Sequence, residues 1–481
     1  MKPRVVSLFL SAALACVPPA IAAESDAAQA PNPMLTARVM VVNSDGDPVA
    51  GATVAPWAIR SDLGHGSWAP DGQGRSKPPV VQTDERGLAE FEYPKYAAPS
   101  RQIPCLQLSC RVEHPDYADT VYNEVPVPQT DGPERIELAR GAEVRIAPLD
   151  ENLEPVTDGV HAMWCDNSYW SSSARARTDG EAIVLPRLTA GAELVRLVRI
   201  EGDQATHFSP PLPFLLADGQ AVELMESLQP AASVQGRLSD NVPRPVKNGR
   251  VAVVVAAKAP GENWETLYWN DWAPVAEDGT FTLTGLPPGE PLQLIGLCDG
   301  FIAASGDAPE FADDNERDLR ERRLEARGLA DFHLPQVFDL PQEGEAELTV
   351  AMKPTGRCEV RVLDAAGAPL AGLQAETWPN VKWWNGGSQI YCSPLRRTAA
   401  LIDQINEAAW SHDDGAERYG RLFSGVTDED GRVTLTGLPL GGHNFIVTEP
   451  RGGVHRFEQH EGKLTASAEG TSVEVTMEPL P

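Results

Sequence analysis

Apolar and polar residues alternate along many short segments of this chain, and clusters of turn-forming residues separate these segments. Phe281 and Leu283 alternate with threonines, and so do Val433 and Leu435. Because successive side chains of a strand point to opposite faces, this pattern predicts strands with one buried face. An Asp-Gly pair or a similar turn precedes these segments, and Leu-Pro-x-Gly follows, since glycine adopts positive φ readily and proline cannot donate to a β-ladder.

One long pattern occurs twice, as EDGTFTLTGLPPG from Glu277 and as EDGRVTLTGLPLG from Glu429, with weaker copies that begin at Thr83 and Thr178. A strand–turn–strand element precedes each copy, and a short alternating segment follows each copy. Three elements that recur in a constant order indicate an internal repeat. We therefore predict an all-β chain of four tandem antiparallel sandwiches, which lie over residues 34–140, 141–230, 231–355 and 356–481.

The turn motifs are similar to those of the carboxypeptidase regulatory-like domain. They are GDPVAGATV over residues 46–54, TDEDG over residues 427–431 and GLPLG over residues 437–441. The resemblance touches all four units and is weakest in the second. It implies an Ig-like or prealbumin-like (transthyretin-like) sandwich, close to the carbohydrate-binding-like folds, that accompanies other activities without being catalytic. Motifs of this kind identify a fold and carry no chemistry of their own.

Two units contain insertions with a helical pattern. Residues 310–332 of the third unit combine favourable i,i+4 charge pairs with few apolar residues, which favours a solvated helix on a sandwich edge; a helix that docks a partner is the alternative. In the fourth unit, residues 393–410 carry an apolar stripe at helical spacing after a serine N-cap. The surrounding insertion, residues 378–424, is either a functional lid or a decorated loop.

All eleven tryptophans fall between the second strand and the Asp-Gly turn of a unit. One buried ring per sandwich is common in Ig-like folds, and Trp57, Trp164 and Trp378 have suitable positions. The remaining rings either pack long loops or form a ligand surface, because flat aromatic faces beside polar groups stack on sugar rings. The ligand-binding candidates are Trp264, Trp269, Trp272, Trp383, Trp384, Tyr268 and Tyr391.

The first residues have the pattern of a secretory signal peptide. Lys2 and Arg4 precede an apolar run, and Ala20 and Ala22 fit a small-x-small cleavage site, so we expect a signal peptide over residues 1–22 and a linker over 23–33. This predicts a secreted or periplasmic protein. A lipoprotein acylated at Cys16 is the alternative. No later segment has the length and apolarity of a membrane-spanning helix.

The net charge and the missing catalytic motifs limit the possible functions. A formal charge of −29 repels nucleic acid and anionic membrane, so we expect no nucleic-acid partner. The sequence has no Gly-x-Ser-x-Gly elbow and no His-Glu-x-x-His pair. We therefore predict no catalytic residue, no metal site and no cofactor.

Six cysteines follow the predicted signal peptide, and an even number in an exported protein permits disulfides. The favoured pairs are Cys105–Cys110 and Cys358–Cys392. The first pair requires the chain to double back, because five extended steps exceed the reach of a disulfide. Buried free thiols are the alternative.

These patterns predict an exported, non-catalytic protein of the cell envelope that binds or scaffolds, with a polysaccharide or an envelope protein as its partner. One alternative is an accessory hydrolase, peptidase- or glycan-associated, with its site under the insertion of the fourth unit. Another is a purely structural spacer. Exposed and grouped tryptophans favour binding, a cleft with converging carboxylates or histidines favours the hydrolase, and buried rings without a cleft favour the spacer.

Overall fold

The computed structural model describes residues 32–62, 64–66, 79–98, 102–118, 120–165, 176–202, 204–258, 266–307, 333–377, 424–449 and 456–480. Every regular element in these ranges is a β-strand, as the alternating pattern predicts. The helices predicted within residues 310–332 and 393–410 lie outside the described residues. The contacts divide the chain into two compact units, one of residues 1–42, 47–112 and 121–136, the other of residues 43–46, 113–120 and 137–481.

Within its described residues, the first sandwich contains ten strands: β1 (Met34–Asn43), β2 (Thr53–Ser61), β3 (Gly64–Gly66), β4 (Val81–Gln82), β5 (Leu88–Pro94), β6 (Tyr96–Ala98), β7 (Ile103–Pro104), β8 (Gln107–Glu113), β9 (Thr120–Pro126) and β10 (Glu134–Leu138). Its smaller sheet has the order β10-β1-β5. The larger sheet has the order β3-β2-β8-β9, with β4 also paired to β2, and β6 and β7 form a separate ribbon.

The second sandwich has nine strands in the part that the structure describes: β11 (Ala142–Leu149), β12 (Val160–Cys165), β13 (Arg177–Asp179), β14 (Ala182–Leu188), β15 (Gly191–Glu201), β16 (Gln204–Phe208), β17 (Leu212–Leu216), β18 (Ala221–Ser227) and β19 (Gln229–Pro230). One sheet has the order β13-β14-β11-β18. The other has the order β12-β15-β16-β19, with β17 also paired to β15.

Outside residues 259–265 and 308–332, which the structure does not describe, the third sandwich contains nine strands: β20 (Ala232–Leu238), β21 (Arg250–Lys258), β22 (Thr266–Pro274), β23 (Thr280–Leu286), β24 (Pro291–Cys298), β25 (Phe301–Ala303), β26 (Gln336–Asp339), β27 (Glu345–Val350) and β28 (Met352–Pro354). Its sheets have the orders β23-β20-β27 and β22-β21-β24-β25-β28, with β26 also paired to β24.

The fourth sandwich contains seven strands in the described residues: β29 (Gly356–Asp364), β30 (Gln374–Thr377), β31 (Ser424–Val426), β32 (Arg432–Leu438), β33 (Gly441–Thr448), β34 (His460–Ala466) and β35 (Thr471–Met477). Its sheets have the orders β32-β29-β35 and β31-β30-β33-β34.

Sandwiches 2, 3 and 4 share one strand arrangement. In each, the first strand lies between two neighbours in its sheet. It is antiparallel to the strand that carries the repeated motif and parallel to a late strand, which is β18, β27 or β35. Parallel neighbours need a long crossover between them, and here the chain crosses through the second sheet before it returns. This topology explains why the three sequence elements recur in a constant order.

The repeated Gly-Leu pair marks a β-bulge. In the third and fourth sandwiches the register shifts opposite the start of the first strand, and the bulged strand has Gly285 at φ 72° and Gly437 at φ 79°. The second sandwich has the same register shift, but Arg187 occupies the equivalent place at φ 60°. A left-handed conformation is easy for glycine and strained for arginine.

The Thr-Asp-x-x-Gly motif forms a hydrogen-bonded clamp, in which the threonine is buried and the aspartate is exposed. In the fourth sandwich, Thr427 Oγ1 donates to one backbone carbonyl of the preceding loop at 2.7 Å and accepts from a backbone N–H at 2.9 Å. Asp428 accepts two further N–H groups, which lowers the free energy of the turn. The first sandwich repeats these contacts with Thr83, Asp84 and Gly87.

A single cluster of buried apolar side chains extends through sandwiches 2, 3 and 4, from Met163 through Val254 to Met477. A second cluster, around Trp164, fills the interior of the second sandwich. Burial of this kind is the main favourable term in folding. Sandwiches 2 to 4 are therefore continuous in their packing, which explains why they form one compact unit.

Candidate functional site

The candidate site is the junction between the second and third sandwiches, where the Trp-bearing strand β22 lies. This strand is at the edge of its sheet, and the side chain of Trp269 is 1% exposed. The Trp269 ring meets Phe208 of β16 edge-to-face, with 4.9 Å between the ring centroids and an interplanar angle of 87°. Such a pair adds stabilisation beyond the area it buries. Trp269 therefore joins two sandwiches.

The burial of Trp269 differs from the prediction that it belongs to a ligand surface. A ring that stacks on a sugar needs a free face, and this ring has none because the second sandwich covers it. Trp272 is half-buried and packs against the same core. Tyr268 lies in β22 opposite Ala256, and the structure describes no more of it. The candidates Trp264, Trp383, Trp384 and Tyr391 lie outside the described residues.

A buried ion pair crosses the same junction. Arg196 of β15 is 1% exposed, and its guanidinium donates from both terminal nitrogens to the two carboxylate oxygens of Glu290, which is 16% exposed. A bidentate pair of this geometry fixes orientation as well as distance. Removing one partner would leave the other charge buried and uncompensated, which is strongly destabilising.

The sequence contains one signal for this ion pair. Strand β15 reads GAELVRLVRIE, and Arg196 sits within its apolar stretch. A charged residue inside a fully buried strand requires a partner. The partner Glu290 lies in a turn of the next sandwich, so no spacing rule within one sandwich could identify it.

A hydrogen bond and a close backbone approach complete the junction. Thr284 Oγ1 donates to Gln204 Oε1 at 2.8 Å, although both side chains are exposed. A Cβ added at Gly285 would lie 2.8 Å from the carbonyl oxygen of Ala205. Real Cβ atoms do not come this close to backbone, so the bulge glycine of the third sandwich also makes room for the second.

The predicted Cys105–Cys110 disulfide is wrong. Both thiols are free and buried. Cys110 lies in the extended strand β8 and Cys105 shortly before it, so the chain does not double back and the two sulfur atoms cannot meet. Burial raises the pKa of each thiol to about 12, which keeps both protonated and unreactive at neutral pH.

Cys358 also carries a free, buried thiol, and burial raises its pKa. Its proposed partner, Cys392, lies outside the described residues. Cys298 is free and buried in the third sandwich, where burial raises its pKa to about 11. The cysteines described here therefore behave as core side chains.

The second sandwich has a polar cavity of about 250 Å³ between the turn after β11 and the β15–β16 hairpin. Arg199, His207 and Glu151 line it, and 3.9 Å separates His207 Nε2 from Glu151 Oε1. Across the ranges that the structure describes, no three histidine, cysteine or carboxylate side chains converge to hold a metal ion. Within the same ranges, no helix has the length and apolarity needed to span a membrane.

No protein-family model matches the chain, and no curated protein matches it. Among solved structures, it is similar to the Bacillus anthracis TIE protein at 11% identity, over 93% of this chain and 75% of that one, with a TM-score of 0.17. It is similar to a streptococcal ancillary pilin at 14% identity, over 70% of this chain and 99% of that one, with a TM-score of 0.20. It is also similar to BcpA, the major pilin subunit of Bacillus cereus, at 9% identity, over 93% of this chain and 99% of that one, with a TM-score of 0.15. Scores at this level carry no argument about function.

Proposed function

We propose that this chain is an exported, non-catalytic scaffold of the cell envelope that binds a polysaccharide or an envelope protein. The chain consists of Ig-like β-sandwiches, and three of them share one buried core. A scaffold must hold its domains in fixed relative positions under load. A continuous core and a buried ion pair between sandwiches serve that purpose, whereas flexible linkers would not.

The observation that carries the proposal is the bidentate contact of Arg196 with Glu290 beside the buried Trp269–Phe208 pair. Sandwiches joined only by linkers unfold independently. Sandwiches joined by a desolvated interface unfold together, because opening the interface exposes apolar surface and separates two buried charges.

Hydrogen exchange of the full chain in a urea series tests this proposal. We expect amides of sandwiches 2 and 3 to exchange in one cooperative step in the wild type, and Arg196→Ala to separate that step into two. Arg361→Ala is the matched control, because Arg361 forms an exposed ion pair with Glu474 at 3.3 Å and such pairs contribute little. Separate steps in the wild-type protein would contradict the proposed scaffold.

The polysaccharide part of the proposal concerns the tryptophans of the long loops, with Trp383 and Trp384 as the main candidates. Titration of the purified protein with soluble glycans, followed by tryptophan fluorescence, is the measurement. We expect Trp383→Ala and Trp384→Ala to abolish the response without changing thermal stability. Trp164→Phe serves as the control, since Trp164 is a core ring that no ligand can reach. If the protein responds to no glycan, polysaccharide binding is excluded, and the remaining roles are binding of an envelope protein or a structural spacer.

Export and family membership belong to the same proposal. The N-terminal pattern supports a signal peptide, and mass spectrometry of the mature chain tests cleavage after Ala22 against acylation at Cys16. The clamps at Thr83 and Thr427 support the resemblance to the carboxypeptidase regulatory-like domain. The accessory-hydrolase alternative requires a cleft with converging acidic or histidine side chains beside the insertion of the fourth sandwich, and hydrolysis assays on peptidoglycan and peptides distinguish it.

A further inference from the structure

Two buried histidines lie where the third and fourth sandwiches pack together. His333 precedes β26 and is 8% exposed, and His443 of β33 is 1% exposed. Strands β25 and β32 are in contact at this junction, and both sandwiches contribute to the same apolar core. Histidine is seldom buried this completely without a structural or switching role.

Each ring makes one hydrogen bond to a backbone carbonyl. His443 Nε2 lies 2.8 Å from the Pro439 carbonyl oxygen, so Nε2 carries the proton. His333 bonds to the carbonyl of Ala303, and because its Nε2 has no partner, the donor is Nδ1. Nδ1 of His443 also has no partner in the described part of the chain. Each ring is therefore neutral, with one bare nitrogen in the interior.

The surroundings disfavour a second proton on either ring. Burial lowers the pKa of His333 from 6.5 to about 4, and repulsion from Lys353 of β28 and from His443 contributes. Burial also lowers the pKa of His443. Among the described residues, no carboxylate acts on either ring to compensate a positive charge. Protonation of both rings would place two buried cations near Lys353.

The direction of the pH effect follows from these shifts. The folded-state pKa of His333 lies below its unfolded-state value, so a state in which the ring meets water binds more protons. The contribution of the neutral His333 ring to stability is complete above pH 6.5 and is lost as the pH falls toward 4, and the contribution of His443 is lost in the same direction. The pH window of the effect therefore lies between these two values.

We propose that His333 and His443 form an acid-sensitive latch, which holds the third and fourth sandwiches together at neutral pH and releases them when the rings are protonated. This inference concerns a change of conformation and does not depend on the proposed envelope partner.

Hydrogen exchange of the full chain between pH 7 and pH 4.5, corrected for the intrinsic pH dependence of exchange, is the test. We expect the equilibrium constant for opening, measured at the amides of β28 and β33, to rise on the order of 20-fold from pH 7 to pH 5. The titration of His333 alone accounts for a rise of this size. Amides of β11, within the second sandwich, should keep their protection. Unchanged protection of β28 and β33, or an equal loss in β11, overturns the proposal.

A double variant, His333→Asn with His443→Gln, removes both titrating rings. Each amide replaces the nitrogen that donates to the carbonyl, so the hydrogen bonds to Ala303 and Pro439 can persist. We expect less than about a threefold pH response in this variant, and a full response in the control His114→Gln, since His114 lies in the first sandwich. An undiminished response in the double variant overturns the latch. Should the variant not fold, NMR titration of the two imidazoles in the wild type decides, because rings that titrate near pH 6.5 without any structural change contradict the proposal.

Discussion

The second and third sandwiches form the same β-bulge with different residues. Both have a β-bulge opposite the start of the first strand, where one residue must adopt a left-handed conformation close to another stretch of backbone. In the third sandwich Gly285 meets both demands. In the second, Arg187 adopts the left-handed conformation, and Gly141 on the facing segment makes the room: a Cβ there would lie 2.5 Å from the Arg187 Cα atom.

The difference teaches that the two demands are separable. Positive φ is a property of one residue, whereas a close approach of two backbone segments involves a pair of residues. A glycine at either position of the pair can make the room. The fold therefore conserves the shape of the bulge without conserving its glycine. Four substitutions separate the two demands, and they are ordered by the expected change in the free energy of opening.

Gly285→Ala should have the largest effect, because it violates both demands. The left-handed conformation costs about 1–2 kcal/mol for a residue with a Cβ, and overlap with Ala205 adds about as much. We expect a loss of about 3 kcal/mol, measured by hydrogen exchange of β23 and β16. A loss below about 1 kcal/mol would show that the junction accommodates the added methyl group. This result would contradict the comparison between the bulges of the second and third sandwiches.

Gly141→Ala should destabilise the second sandwich by about 2 kcal/mol, through overlap alone. Its backbone already has a conformation open to alanine, so φ strain does not contribute. Urea denaturation followed by exchange in β11 and β14 is the measurement. Gly180→Ala is unsuitable as a control because of its positive φ, whereas Ser227→Ala at the end of β18 is a neutral one.

Gly437→Ala tests the conformational demand in the fourth sandwich. Its φ of 79° predicts a loss of about 1–2 kcal/mol, smaller than that of Gly285→Ala. The exchange rates of β32 and β29 report it. If Gly285→Ala and Gly437→Ala lower the free energy of opening equally, the close approach of Gly285 to Ala205 contributes nothing.

Arg187→Gly should stabilise the second sandwich by about 1 kcal/mol, because the strained conformation becomes an easy one. Arg187→Ala is the matched control: it removes the same side-chain contacts and keeps the strain. The difference between the two variants in thermal unfolding isolates the backbone effect. If the glycine variant is no more stable than the alanine variant, the strain assigned to Arg187 is absent.

The all-β fold could be predicted from the sequence because its signals are local. Alternation at Phe281 and Leu283 needs no knowledge of distant residues, and the Asp-Gly turns have fixed offsets. The roles of Trp269 and Arg196 could not be predicted, because their partners Phe208 and Glu290 belong to other sandwiches. Periodicity reports which face of a strand is buried, and it does not report what covers that face.

The equivalence of Arg187 with the bulge glycines was hidden for a related reason. Glycine is the sequence signal for positive φ, and the second sandwich has Pro-Arg where the third and fourth have Thr-Gly. The cysteine prediction was wrong for a different reason. An even count permits pairing, but the extended course of the chain from Cys105 to Cys110 keeps the two thiols apart.

The parallel pairing of the first strand with a late strand has a mechanical consequence for sandwiches 2 to 4. Parallel neighbours run in the same direction, so the polypeptide enters each parallel pair at one end and leaves it at the opposite end. Tension applied along the molecule pulls the two strands past each other and loads all their inter-strand bonds at once in shear. An antiparallel pair pulled from adjacent ends would instead peel open one bond at a time.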